Sequence, residues 1–276
     1  MTGKLLYRYA AIIGCVFFGF ANFIACGSQL YQVSMEEDFD TTRTLAANPE
    51  ADNPESTLYG IHATDGWKKL PIHYSFGTQM NSVQRAHLQA AMRHWEWAVG
   101  KKLFKVDGVH RSTSGDKFKD LYSSLNDGVN GHYLDGNWAK TKKPDYVLAT
   151  TIWNTDAQTS RISKADIRFN DQHYLIGDSL SLHATDRKEV VDMQSLALHE
   201  LGHLLGLAHV DEEIDSHSIM NPSLFIGEGL TSRQLSRGDI ERIQTIYGCY
   251  GKACNVDELM ASAFNGSANL TDPIAH

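Results

Sequence analysis

His199-Glu200-Leu201-Gly202-His203-Leu204-Leu205-Gly206-Leu207-Ala208-His209 satisfies the pattern HExxHxxGxxH at all five specified positions. On a helix, residues four apart lie one above the other, so His199 and His203 present two imidazoles to one ion while Glu200 stands beside the first. Gly206 can adopt the left-handed conformation that a β-branched or bulky residue reaches only at a cost, which stops the helix and turns the chain back. His209 is thereby brought round as a third ligand. Three neutral imidazoles leave the fourth position of a zinc ion open to water, whose pKa falls toward ~7, and Glu200 is placed to take its proton. Any one of these histidines alone reads as an ordinary core or surface residue, but five positions in one register do not.

The flanks agree with a rigid helix. Asp192 is a natural cap, and Leu196, Leu198, Leu201, Leu204 and Leu205 bury the helix from several sides. Downstream comes Ser218-Ile219-Met220-Asn221-Pro222, with Met220 eleven residues past His209. A further helix follows, with Ser236 as cap, Asp239 three residues on, Ile240, Ile243 and Tyr247 on one face, and Gly248 as terminator.

Upstream, Leu70-Pro71-Ile72-His73-Tyr74-Ser75-Phe76 alternates apolar and polar residues and predicts a first strand, with order beginning near Trp67. Asn81 and Gln84 form a capping pair ahead of a stripe of Leu88, Ala91, Met92, Trp95 and Val99, ended by Gly100. Val106 to Lys143 is rich in Gly, Asp, Asn and Ser and reads as long loops. Asp127, Asn130 and Asp135 in that stretch offer oxygens to calcium, but their spacing does not match an EF-hand loop and such residues are commonest as turn formers, so calcium has no support from the sequence. Tyr146–Trp153 and Ile162–Phe169 are β-rich, and Tyr174–Leu182 offers an edge segment. The order strand, helix, strands, helix, with no internal repeat, points to an α+β fold with a twisted mixed sheet.

The N-terminus reads as an export signal: Lys4 and Arg8 precede Tyr9–Ala25, an uncharged run rich in Ala, Ile, Phe and Gly. Its removal takes the formal charge of the 276-residue chain from -8 to about -10. Phe23-Ile24-Ala25-Cys26-Gly27 resembles a bacterial lipoprotein signal, in which the cysteine is lipidated and becomes the new N-terminus. The alternative is an uncleaved anchor, since ~17 apolar residues sit at the lower edge of a span. Residues 1–25 are thus a signal peptide, 26–60 a polar tether, 61–254 the folded domain and 255–276 a tail. The implied location is outside the cytoplasm, on a bacterial cell envelope or surface, with the membrane as partner through the lipid. Apolar residues at 42% and charged residues at 21% fit a folded domain, and no block of Lys and Arg suggests nucleic-acid binding. Cys249 and Cys254, close together in an exported chain, predict a small disulfide loop.

The motif together with Ser218–Pro222 resembles the metzincin clan of zinc peptidases, and within it the matrixin-like branch, from about Trp67 to Gly248. The resemblance implies a metzincin-like catalytic domain, with the sheet and two helices above a zinc cleft and a small C-terminal subdomain with one helix below. It implies one catalytic zinc on His199, His203 and His209, Glu200 as general base, and Met220 as an apolar floor beneath the metal. An extended peptide would add as a strand along a sheet edge, with Ser195, Pro222, Leu224 and Phe225 helping to line a pocket beside the zinc. Several residues depart from the family pattern. No cysteine lies between Gly27 and Gly248 to block the metal in a latent precursor. No His-x-Asp pair occurs upstream of the active helix for a structural zinc, so His110, His132, His173 and His183 read as ordinary histidines. Val210 follows the third ligand, where better-known branches carry a polar residue or proline, and Gly238 stands where many matrixins have an acid. The competing readings are a zinc-holding surface lipoprotein that binds a partner with little hydrolysis, and a hydrolase of other bonds. Glu200 argues against the first, His209 and Met220 against the second.

Overall fold

The computed structural model describes residues 31–34, 62–110, 125, 127–156 and 158–264. The export signal, Cys26 and most of the expected tether lie outside the described residues. Among the described residues nine strands and four α-helices follow in the order β1 (Tyr31–Ser34), β2 (Ile72–Gly77), α1 (Ser82–Val99), β3 (Phe104–His110), β4 (Gly131–Leu134), β5 (Ala149–Thr155), β6 (Ile162–Phe169), β7 (Leu175–Gly177), β8 (Val190–Asp192), α2 (Met193–Leu204), β9 (Ser223–Ile226), α3 (Arg237–Tyr247) and α4 (Val256–Phe264).

Five strands form one mixed sheet in the order β3-β2-β4-β6-β5. All neighbours in it run parallel except β5, which is antiparallel to β6 and occupies one edge. The stretch expected to be loops contains β4 and the end of β3. β4 escapes a pattern reading because its four residues are flanked by Asn-Gly and Asp-Gly turn formers and are all buried, so they show no period-two alternation. The segment expected at the sheet edge near Tyr174 is β7, which pairs in parallel with β8 in a sheet of its own. Tyr31–Ser34, inside the span expected to be a tether, pairs antiparallel with β9.

Helix α1 starts where Asn81 and Gln84 cap each other, through Gln84 N–H to Asn81 Oδ1 at 2.9 Å and Asn81 N–H to Gln84 Oε1 at 2.9 Å. It ends at Gly100 in the left-handed region. Its stripe Leu88, Ala91, Met92, Trp95 and Val99 is buried throughout, in one core with Ile167, Phe169, Leu196 and Leu201. Burying each large apolar side chain contributes about 1.5–3 kcal/mol. Trp95 also donates its indole N–H to the Leu198 carbonyl at 3.0 Å, fixing α1 against α2. Glu96, buried on the same helix, accepts from the backbone N–H groups of Leu103 and Phe104 and so pins the start of β3.

Below α2 the C-terminal part contains α3, capped by Ser236 and Asp239. Cys249 and Cys254 are bonded, with Cα atoms 5.0 Å apart. Val256–Phe264, within the expected tail, is a fourth helix whose Leu259 joins the core.

Candidate metal centre and active site

Asp192 accepts the Ser195 N–H at 3.0 Å and caps α2, all twelve residues of which are buried. A helix sealed on every side holds its side chains in fixed rotamers, which a metal site requires. At its C-terminal end Gly206 has φ +107°, and a Cβ there would lie 2.8 Å from Thr64 Oγ1 and 3.1 Å from the Thr64 carbonyl oxygen. The turn thus needs glycine twice over, for its dihedral and for the segment docked on it, where Ala63 and Thr64 donate N–H groups to the Gly206 carbonyl.

The turn delivers His209 to the other two imidazoles. Nε2 of His199 lies 2.9 Å from Nε2 of His203 and 3.2 Å from Nε2 of His209. Among the described residues, these three are the one group of His, Cys, Asp or Glu side chains that could hold a metal, with candidate ligand atoms all within 4.8 Å of one another. Nδ1 of His199 faces the Ile219 carbonyl at 2.7 Å, and Nδ1 of His203 faces the Leu207 carbonyl at 2.8 Å. A carbonyl only accepts, so Nδ1 carries the proton in both rings and Nε2 presents a lone pair to the common centre. Burial first, and then the neighbouring His203 and His209, hold His199 well below its ordinary pKa, against a smaller opposing pull from the Ile219 carbonyl. The ring is therefore neutral, the form that ligates. Converging imidazole lone pairs of this kind fit a divalent zinc ion.

Met220, expected as the apolar floor, packs against the ligand-bearing helix. It is fully buried, and its sulfur abuts Gly202, the residue before His203, where an added Cβ would stand 2.2 Å from Sδ. The Met220 carbonyl accepts the Val210 N–H at 2.9 Å, and Asn221 donates to the Val210 carbonyl at 2.9 Å, so the turn and the third histidine's segment are tied together. The turn is held from below by Asp239. Ser218 donates its hydroxyl to Asp239 Oδ1 at 2.5 Å, and the Ile219 N–H donates to Oδ2 at 2.9 Å. Arg242 bonds Asp239, Ser218 and Asp215. Gly238 belongs to this arrangement, since a Cβ there would fall 2.3 Å from Asp215 Oδ2.

Glu200 is 2% exposed, and the Thr151 hydroxyl on β5 donates to its carboxylate Oε2 at 2.5 Å. Sequence reasoning missed Thr151, since a contact across 49 residues leaves no local pattern. The residues expected to line a pocket divide. A cavity of about 1100 Å³ lies under the segment after Met220, and Leu224 and Phe225 line it together with Ile219, Arg233 and Leu235. Ser195 and Pro222 are not part of its lining. The Ser195 hydroxyl donates to Asp192 at 2.7 Å and accepts the Ser232 N–H at 2.7 Å, so its task is to tie the helix start to the following loop.

The residues weighed for calcium are engaged separately. Asp135 pairs with Arg168 at 3.3 Å in the core, Asp127 with Lys164 at 3.3 Å, and Asn130 donates to the His73 carbonyl. The four upstream histidines also stay apart: His110 is near Asp127, His173 near Asp145 and His183 beside Glu228. His132 is buried against the Tyr74 ring, and burial, followed by Lys164, pushes it down to about 3.

Comparisons with known proteins follow the same geometry. The matrixin family model (peptidase M10) matches residues 66–248, from the segment docked on Gly206 to the terminator of α3. The chain is 39% identical over 79 residues to metalloendoproteinase 5-MMP of Arabidopsis thaliana, covering 28% of this chain and 21% of that protein. It is 45% identical over 58 residues to metalloendoproteinase 2-MMP of the same plant, covering 21% and 14%. The aligned stretches thus span about a fifth or less of these relatives' length. Among solved structures, high choriolytic enzyme 1, a hatching enzyme zinc-protease of the medaka fish Oryzias latipes, aligns at 15% identity over 67% of this chain and 95% of its own, with a TM-score of 0.33. With the three imidazoles converged under α2 and the family match spanning both the helix and the turn beneath it, this chain belongs to the matrixin family.

Proposed function

We propose that the chain is a zinc-dependent endopeptidase that hydrolyses internal bonds of extended peptide or protein substrates, with His199, His203 and His209 as ligands and Glu200 as general base. The observation that carries this reading is the triad of imidazoles with their ring nitrogens converged, on a helix whose Glu200 carboxylate is buried. Zinc bound there would polarise the substrate carbonyl and acidify water. Glu200 takes the proton of the attacking water and passes it to the leaving amine. The Ile219 and Leu207 carbonyls keep two rings in the tautomer that ligates, and the fully buried Met220 would serve as the apolar floor. An extended peptide would add antiparallel or parallel to β5, an edge strand of the described sheet, and Leu224 and Phe225, which line a cavity together with Ile219 of the methionine turn, would help to receive one side chain.

Glu200→Ala should keep zinc and fold but lose hydrolysis of an unstructured protein substrate by roughly three orders of magnitude or more. His203→Ala should lose zinc as well, with metal content measured on the same samples. A Glu200→Ala protein that cleaves at the wild-type rate would sink the mechanism. A wild type that holds zinc and cleaves nothing in a diverse peptide library would instead favour partner binding.

We further propose that Cys26 is acylated, on the strength of the small Ala25 before it and the apolar run of residues 9–25. Mass spectrometry of the mature N-terminus should find a lipidated cysteine, and a soluble product beginning elsewhere would refute this.

A further inference from the structure

We propose that Thr151 is a positioning residue for Glu200, clamping the carboxylate from the sheet edge so that it meets the attacking water in one orientation. The inference rests on the reading of Glu200 as general base. A glutamate reaches its carboxylate through three rotatable bonds, and helix α2 fixes only the first of them by its backbone. Something outside the helix must fix the rest, because a catalytic group has to be held within about 0.5 Å of its productive position.

Thr151 is built for that task in three respects. Its hydroxyl carries one proton and has two acceptors in range, the Glu200 carboxylate at 2.5 Å and the Glu200 carbonyl at 3.1 Å. The shorter contact has the length of a charge-assisted O–H···O⁻ bond, so the proton goes to the carboxylate. Threonine is branched at Cβ, which limits its own rotamers, and here it is 4% exposed. Its backbone lies in the middle of β5, opposite the fully buried Ile167 of β6, where the antiparallel ladder holds it. The bond therefore joins the outermost strand of the sheet to the metal-bearing helix at the one carboxylate the reaction needs. A hydroxyl that merely satisfied itself in the core could have used the Glu200 carbonyl alone.

The test compares Thr151→Val, which keeps size and branching but has no hydroxyl, with Thr151→Ser, which keeps the hydroxyl. Both are prepared as the zinc-loaded mature chain beside wild type and Glu200→Gln. Thr151→Val should hold one zinc and leave KM within about twofold, while kcat falls roughly ten- to a hundredfold, the range expected for one hydrogen bond to a charged group. Thr151→Ser should return kcat to within about threefold of wild type. In the Glu200→Gln background, Thr151→Val should cause no further loss. Wild-type kcat in Thr151→Val, or loss of zinc and of thermal stability in parallel with kcat and unrelieved by serine, would overturn the inference. These outcomes are separable from failure of the underlying mechanism: if Glu200→Gln itself cleaves at the wild-type rate, Glu200 is not the base, whereas an inert Glu200→Gln beside a fully active Thr151→Val refutes the positioning role alone.

Discussion

Gly202 sits in the interior of α2, where replacing glycine by alanine ordinarily stabilises a helix by about 1 kcal/mol. Here the sign should reverse. An added Cβ would lie 2.2 Å from Met220 Sδ and 3.2 Å from Trp95 Cζ2, and both side chains are fully buried. Methionine is adaptable, but this side chain is fully buried between the helix and its own turn, so its displacement disturbs packed neighbours. Overpacking of this kind costs about 1–3 kcal/mol. Taking the upper end, because contact at 2.2 Å demands a real displacement, the net loss for Gly202→Ala is about 2 kcal/mol. In a domain of this size that lowers Tm by roughly 4–8 °C. The cause can be isolated with Met220→Ala. Once the sulfur is gone, the Trp95 contact asks for only a small adjustment, and Gly202→Ala should become neutral or stabilising by up to about 1 kcal/mol. The coupling between the two sites is then about 2–3 kcal/mol, well above the error of additivity. Four proteins unfolded thermally at saturating zinc give the cycle. Equal losses in both backgrounds, or a Gly202→Ala protein as stable as wild type, would refute the account of Met220 as a packed floor.

Asp239→Asn should destabilise the domain by about 2–4 kcal/mol and weaken zinc binding, because a fully buried carboxylate that holds Ser218, Ile219 and Arg242 loses its charge; urea unfolding and zinc titration check it. At Asp192, burial pushes the carboxyl up, but hydrogen bonds from Arg233 and Ser195 outweigh it and hold it below its ordinary value. A carboxylate depressed on folding contributes stability that is complete above its unfolded pKa of about 3.9 and is lost as pH falls through the lower folded value. Arg233→Met should therefore cost about 2–3 kcal/mol at pH 7, and the gap from wild type should close as the medium is acidified below about pH 4. A gap that stayed constant in urea unfolding between pH 7 and pH 3 would rule out the pairing as its source.

What was legible in the sequence was what depends on near neighbours. The capping pairs Asn81 with Gln84 and Ser236 with Asp239 and the glycines that end α1 and α2 are legible from residues a few positions apart, the strand Ile162–Phe169 from its β-rich composition, and the structure has each in place. What stayed illegible depends on the fold having closed. β4 is hidden because its burial comes from strands on both sides, and nothing local to Ser195 announces that its hydroxyl bridges Asp192 and Ser232. The departure at Gly238 shows how the two kinds of information combine. Read as a missing acid, it weakened the resemblance; in the structure the neighbouring Asp239 holds the methionine turn, and Gly238 is small because Asp215 and Arg242 pass where its Cβ would be. A side chain at position 238 would have to displace the Asp215 carboxylate and the Arg242 guanidinium from the bonds they make to Ser236, Ser218 and Asp239, so the absence of one there is part of the same support and not a loss of it.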